Sequence, residues 1–129
     1  MEYIALTGIA RRVLKELLSS RIRTLEIRSP NNFVALLSTR PGDRIFLTEA
    51  SAQDIVPGTN GLITSVTGVQ IITHRMVQST EDYYEEREAQ AARVQLQLTA
   101  LGRVRRVTSF EMGEPFTLDV DEVRYCDAR

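Results

Sequence analysis

Two spacings of apolar residues follow one another in the first part of the chain. Residues 2–8 alternate and predict a short strand that ends at Gly8. The spacing then becomes helical, with these apolar side chains on one side: Ile9, Val13, Leu14, Leu17 and Leu18. Charged residues fill the other side, so the segment predicts an amphipathic helix on a core, along which Arg12 and Glu16 can pair. Residues 23–28 alternate again and predict a strand with one polar face.

The middle of the chain has the composition of strands separated by turns. After a cluster of turn formers at residues 29–32, residues 33–37 form a short apolar run that predicts a buried strand. Residues 44–48 predict another strand. The stretch 62–77 is rich in Val, Ile and Thr and predicts the longest strand, with a bulge or bend at Gly68.

The last part of the chain combines a helix-start signal with three further strands. Residues 79–82 place hydroxyl groups before carboxylates, which favours a solvent-facing helix after them. Clean alternation then favours a strand from about Arg93, which Gly102 interrupts. Residues 104–110 and 116–125 predict two more strands, joined by a hairpin loop.

These elements predict an α+β, mainly β protein in which residues 1–129 form a single domain. Many short strands in a chain of this size must stack as two sheets or close on themselves, because open edges invite aggregation. We therefore expect a small closed β-barrel with two flanking helices.

Composition and charge exclude several classes of protein. At 43% hydrophobic and 26% charged residues, the chain is neither disordered nor collagen-like. The net charge of −1 excludes a uniformly basic protein of the histone type, so that nucleic-acid contact would depend on local patches. Lys15 is the only lysine among the 16 basic residues, and the other basic residues are therefore arginines.

Isolated cysteine and histidine residues limit the chemistry that the chain can perform. Cys126 has no second cysteine to pair with, which favours an intracellular protein, and no apolar stretch reaches the length of a membrane span. The N-terminus lacks the pattern of a signal peptide, so we expect a cytoplasmic protein. His74 has no nearby metal-ligand partner in sequence, and we expect neither a metal nor a cofactor.

Residues 17–28 carry a resemblance to a known superfamily. A helix that ends in small residues runs into a strand of the form basic-Thr-x-Glu-x-Arg, which resembles the signature of the ASCH domains. Residues 41–47, a Gly-Asp turn that leads into a strand, and residues 61–66 agree in outline. The whole chain also resembles a mainly archaeal group, domain of unknown function 473.

The resemblance implies a barrel of the pseudouridine-synthase-and-archaeosine-transglycosylase (PUA) type. It also implies RNA binding, as in many members, or hydrolysis at a Lys-Thr-Glu site, as in a few. Arg23 stands where that site has its lysine. Arginine does not lose its proton in proteins, and Arg23 therefore cannot act as a nucleophile or base.

The strand of the resemblance is the first candidate binding site. Thr24, Glu26 and Arg28 share one face at a period of two, with Arg23 adjacent. A guanidinium fork can bind phosphate, and a neighbouring carboxylate can accept a hydrogen bond from a base amino group or a ribose hydroxyl. A cross-strand salt bridge on a solvated face explains the same residues equally well.

The C-terminal arginines are the second candidate site. Arg103, Arg105 and Arg106 form the densest basic cluster and would suit a stripe that binds RNA phosphates. The alternative is a charged edge strand that resists aggregation and is neutralised by carboxylates of the opposite hairpin strand. Those carboxylates are Asp119, Asp121 and Glu122.

Three functions remain open from the sequence. The first is an RNA- or nucleotide-binding module with an Arg/Glu-lined pocket. The second is a hydrolase of a modified nucleoside or nucleotide, with Thr24 and Glu26 as participants. The third is a protein-interaction or homodimer module joined through an exposed strand.

Overall fold

The structure, a computed structural model, describes residues 1–111 and 114–123, without the side chains of residues 74, 76, 83 and 86–89. The described residues are mainly β with two α-helices, which confirms the predicted class. In chain order the elements are β1 (Glu2–Leu6), α1 (Arg11–Ser20), β2 (Ile22–Ile27), α2 (Pro30–Leu37), β3 (Arg44–Leu47), a 3-10 turn (Ala52–Asp54), β4 (Asn60–Thr80), β5 (Tyr83–Ser109) and β6 (Thr117–Val123).

All described strands belong to one sheet, in the order β2-β5-β4-β3-β1-β6. The neighbours are antiparallel except β1 and β3, which are parallel. Strand β6 pairs with β1 and also with β5. The pairings β5–β4–β3–β1–β6 therefore return to β5, and β2 lies outside this ring.

Both faces of the central strands are buried, and they separate two apolar clusters. On β3, Ile45 and Leu47 belong to a cluster that includes Leu17 of α1 and Leu36 of α2. Phe46, between them in sequence, belongs to a second cluster with residues of β1, β4, β5 and β6. The alternation of β3 thus directs one face toward the helices and the other toward the second cluster.

The predicted amphipathic helix is confirmed as α1. Leu17 is fully buried, and Val13 and Leu14 pack against the same cluster, whereas Leu18 is 44% exposed. Its charged side differs from the expectation in one respect. Glu16 forms an ion pair with Arg23 of β2, a contact between elements that an i,i+4 spacing cannot reveal.

The strand predicted for residues 33–37 is wrong, because this segment belongs to helix α2. A short apolar run has the same pattern in a buried strand and in a short buried helix. Pro30 at the first helical position has the backbone angle that a helix start requires. Asn32 then fixes the helix beside β1, since its amide accepts from Thr7 N at 3.0 Å and donates to Thr7 O at 2.8 Å.

The helix predicted after residues 79–82 is also wrong. Glu81 and Asp82 are the turn between β4 and β5, and the pairing Thr80 with Tyr83 closes a hairpin. The capping signal was local, whereas β4 offers a long β-branched partner strand that overrides it. Residues 93–101 are strand as expected, but that strand begins at Tyr83 and continues through Gly102 to Ser109, so the predicted interruption at Gly102 is wrong.

Two other predictions about the strands are confirmed. The register of β4 and β5 shifts between Val66 and Gly68, which is the expected bulge. Strands β5 and β6 form the expected C-terminal hairpin, up to Val123 within the described residues. Residues 112–113 of its loop and the predicted strand end at residues 124–125 lie outside them.

A pair of facing glycines makes room for Phe46. Gly61 of β4 pairs with Gly102 of β5, and a Cβ atom on Gly61 would overlap both the Phe46 ring and the carbonyl oxygen of Leu47. A Cβ atom on Gly102 would lie 3.0 Å from the same ring. The fully buried ring therefore occupies the space that side chains at these two positions would need.

We expect Gly61→Ala to lower the free energy of unfolding by about 1–3 kcal/mol, because the new methyl group overlaps backbone as well as the ring. Gly68→Ala is the matched control, since a Cβ atom there meets nothing within 4 Å. Urea unfolding of the two variants measures the difference. Equal stabilities would contradict the close approach of Phe46 to Gly61.

Candidate ligand-binding pocket

A cavity of about 310 Å³ lies between β2 and the N-terminal ends of both helices. Its walls are Gly8, Ile9, Ala10, Val13, residues 23–29 and Asn32. The first candidate site of the sequence, residues Arg23, Thr24, Glu26 and Arg28, is thus brought together in one concave surface.

Strand β2 provides most of this wall. Leu25 and Ile27 are buried while Thr24, Glu26 and Arg28 are exposed, which confirms the predicted alternation. Among the described strands β2 pairs with β5 alone, so its other edge carries unpaired backbone groups. The cavity is lined by consecutive residues of both strand faces, as expected where it runs along that edge.

The charged side chains of the pocket are arranged in pairs. Arg28 Nη2 donates to Glu26 Oε1 at 3.2 Å, and Arg23 pairs with Glu16 behind the strand. The Arg28 side chain is 73% exposed. A guanidinium group has five N–H donors, so one bond to Glu26 leaves donors of Arg28 directed at solvent. Arg23, by contrast, is held between β2 and α1.

Both helices begin at the pocket without a side-chain cap. Ala10 precedes α1 and Ser29 precedes α2, and neither makes a side-chain hydrogen bond to its helix or is followed by an acidic first turn. The first N–H groups of a helix have no partner within the helix, and the macrodipole makes this end positive. Both residues line the cavity, which therefore combines two such ends with Arg28.

Sequence reasoning missed the contribution of α2 to the pocket. It assigned residues 33–37 to a strand, and a strand has no positive end. The signal that was present is Pro30 after a serine, a combination typical of the first residues of a helix.

The arginines of the second candidate site do not line this cavity. Arg105 Nε lies 3.8 Å from Asp121 Oδ2, and Arg106 Nε lies 3.5 Å from Asp119 Oδ2. Arg103 Nε donates to an Asn60 side chain at 3.4 Å. A register shift between residues 104 and 106 exposes two successive arginines on the surface of the hairpin. The carboxylates of β6 thus face the arginines of β5, as the neutralised-edge alternative expects.

The residues that the structure describes contain neither a group of metal ligands nor a helix that could span a membrane. No group of three His, Cys, Asp or Glu side chains there is placed to hold a metal ion. In the same part of the chain, each helix is too short or too polar to cross a membrane.

The fold and the pocket define a mainly β protein with one sheet, two helices and a small charged cavity at an edge strand. Residues 1–118 match the model of the family described as "Protein of unknown function (DUF473)", and the chain belongs to this family. It is similar to "Uncharacterized protein MJ0105" of Methanocaldococcus jannaschii, with 25% identity over 118 residues, which cover 92% of this chain and 74% of that protein. No solved structure matches the chain.

Asp119, which lies beside Arg106, makes the stability of the fold depend on pH. The α-ammonium group of Met1 donates to Asp119 Oδ1 at 2.8 Å, and this bond is the main reason that the pKa of Asp119 lies below its ordinary value. Partial burial opposes the shift, while the charges of Met1, Arg105 and Arg106 add to it. A lowered pKa in the folded state means that ionised Asp119 stabilises the fold above a pH of about 4 and loses this effect as the pH falls.

We therefore expect Asp119→Asn to remove part of the loss of stability between pH 6 and pH 3, as measured by urea unfolding at each pH. Glu122→Gln is the control, because it removes an exposed carboxylate from the same strand without removing the bond to Met1. If both variants lose stability toward acid like the unmodified chain, Asp119 does not contribute as described.

Proposed function

We propose that this protein is a binding module for a nucleotide or an RNA residue, with the phosphate and part of the sugar or base held in the pocket. The observation that carries the proposal is the concave surface formed by Arg28, Glu26 and Thr24 together with the uncapped ends of α1 and α2. Hydrogen-bond donors that can bind a phosphate lie there beside hydroxyl and carboxylate oxygens that can accept hydrogen bonds. A nucleotide, with its phosphate, sugar and base, requires both kinds of group.

The phosphate would be bound at the helix ends and by Arg28. Backbone N–H groups at the start of a helix form a natural anion site. A guanidinium group adds charge-assisted hydrogen bonds, which are about twice as strong as neutral ones. Arg28 is exposed at the pocket and has donors beyond its bond to Glu26, so it can meet a phosphate without losing that contact.

The sugar or base would be bound by the polar face of β2. Glu26 accepts one bond from Arg28 and has a second carboxylate oxygen for a ribose hydroxyl or a base amino group. The Thr24 hydroxyl can donate or accept beside it. Small-molecule pockets have volumes from about 300 Å³ upward. The 310 Å³ of this cavity therefore suit a single nucleotide rather than a dinucleotide.

We also propose that the ring of strand pairings is a small PUA-like barrel of the ASCH type. The pairings β5–β4–β3–β1–β6–β5 and the resemblance of residues 17–28 support this assignment. In such a module, RNA beyond the pocket would reach the arginines of the C-terminal hairpin, Arg103, Arg105 and Arg106. Its phosphates would compete with Asp119 and Asp121 for these guanidinium groups.

Binding is favoured over catalysis by the state of Arg23. A residue at this position of a Lys-Thr-Glu site would have to lose a proton to act as nucleophile or base, which arginine does not do. Arg23 also forms an ion pair with Glu16 of α1. The position thus serves to join β2 to α1 at the back of the pocket.

The pocket predicts that Arg28→Ala weakens binding of a nucleoside 5′-monophosphate by about tenfold, since a hydrogen bond to a charged group is worth about 1.5 kcal/mol or more. Isothermal titration calorimetry with the four monophosphates, at about 50 mM and about 500 mM salt, measures the effect and its screening. Arg44→Ala is the matched control, because Arg44 is an exposed strand arginine outside the pocket.

Either of two results would contradict nucleotide binding in this pocket. Either no monophosphate and no short single-stranded RNA binds at low salt, or Arg28→Ala binds as tightly as Arg44→Ala. Salt-independent affinity would equally contradict a phosphate contact.

The hairpin arginines predict a different pattern. Replacing Arg105 and Arg106 by alanine should weaken a 10-nucleotide single-stranded RNA and reduce its salt dependence by a slope of about 0.7 for each lost phosphate contact, with monophosphate binding unchanged. Asp121→Asn, which releases Arg105 from its ion pair, should strengthen the RNA complex. If the affinity for RNA is the same after all three substitutions, these arginines do not contact RNA and serve only to protect the edge of the sheet.

A further inference from the structure

A two-stranded arm extends from the sheet and has no other described strand beside it. Strand β2 pairs with β5 only as far as Ala92, and β3 pairs with β4 only as far as Ser65. Beyond the facing pair Ile72 and Ala91, β4 and β5 therefore pair with each other alone. We call residues 73–90 the arm; its eight-residue strands extend about 26 Å.

Three exposed apolar side chains lie on one face of the arm and its base, among the polar residues Thr73, Arg75, Ser79 and Gln90. Ile71 is 44%, Val77 53% and Tyr84 64% exposed. The register places them on one side, because Ile71 and Val77 are an even number of residues apart and Tyr84 faces Ser79 across the hairpin. An isolated two-stranded hairpin is marginally stable in water, and exposed apolar side chains along it favour contact with another molecule.

The negative charge of the arm favours a partner surface that is positively charged. The arm has five carboxylates, Glu81, Asp82, Glu85, Glu86 and Glu88, against two arginines, Arg75 and Arg87, and so a net charge of −3. With −1 for the whole chain, the remainder carries +2. A phosphate backbone would be repelled by the arm, and so would the arm of a second copy.

A matching basic surface is present on α1 of the same chain. Arg11, Arg12 and Lys15 border a shallow depression together with Glu16 and two serines. Arg11 bonds to Glu49 at 3.3 Å. Arg12 and Lys15 are exposed, and neither forms an ion pair with a described residue.

We propose that two copies of this chain form a dimer in which the arm of each copy lies on the α1 surface of the other. The contact is self-complementary, because each copy contributes one acidic arm and one basic helix face, and a two-fold axis then produces it twice. Ala10 and Val13 of α1 line the ligand pocket, so the arm of one copy lies next to the pocket of its partner. The proposal is independent of which ligand that pocket binds.

The first test measures the mass of the full chain by sedimentation velocity from about 1 µM to about 100 µM. We expect a dimer whose dissociation constant rises at least tenfold between about 50 mM and about 500 mM salt, since the contact joins opposite charges. A variant in which Asn-Gly replaces residues 73–90 should be a monomer with a normal unfolding transition. Ile72 and Ala91 face each other in register, and a two-residue Asn-Gly turn is suited to join them.

The second test exchanges the charges. Glu81→Lys with Asp82→Lys gives a basic arm tip on a basic helix, and Arg12→Glu with Lys15→Glu gives an acidic helix beside an acidic arm. Each double variant should be a monomer, whereas an equimolar mixture of the two should form a heterodimer in which both contacts are again opposite in charge. Arg40→Glu with Arg44→Glu is the control for a change of net charge and should remain a dimer.

A chain that stays monomeric up to about 100 µM at low salt overturns the proposal. So does an armless variant that dimerises like the unmodified chain, or a mixture of the two charge variants that remains monomeric. These outcomes leave the nucleotide pocket untouched, because none of the substituted residues lines it.

Discussion

The pairing of β5 with three other strands is the constraint on which the structure depends. This 27-residue strand binds β4 along most of its length, β2 on its other edge near the middle, and β6 toward its end. A straight strand could not pair with all three neighbours. The register shifts in the β4–β5 and β5–β6 pairings give β5 the additional twist and bend that these contacts need. The facing glycines at positions 61 and 102 then make room for the Phe46 side chain in the second apolar cluster.

The pocket is a consequence of the same arrangement. Because β2 lies outside the ring of pairings, one of its edges is left without a partner strand, and the chain covers that edge with the beginnings of α1 and α2. Asn32 holds α2 in this position through both backbone groups of Thr7. The unpaired strand edge and the uncapped helix ends are polar features that a packed core would not tolerate, and they border the same cavity.

The excess of arginine in this chain has more than one explanation. Arg23 joins β2 to α1 through Glu16, and Arg105 and Arg106 face carboxylates across the hairpin. Arg28 differs from them because it is open to the cavity and pairs only with its strand neighbour Glu26 among the described residues. The sequence therefore located the candidate pocket through the alternation of β2, but the count of arginines did not identify which ones are available to a ligand.

The sequence by itself determined the elements whose pattern is local: the amphipathic helix α1, the polar face at Thr24 and Glu26, and the bulge at Gly68. It failed where one pattern suits two structures. Residues 33–37 are apolar enough for a strand or a helix, and residues 79–82 can cap a helix or turn a hairpin. Tertiary structure decided both cases, because α2 is held by Asn32 against β1 and the start of β5 is held by its register with β4. Contacts between residues far apart in sequence have no periodicity along the chain, and only the folded structure reveals them.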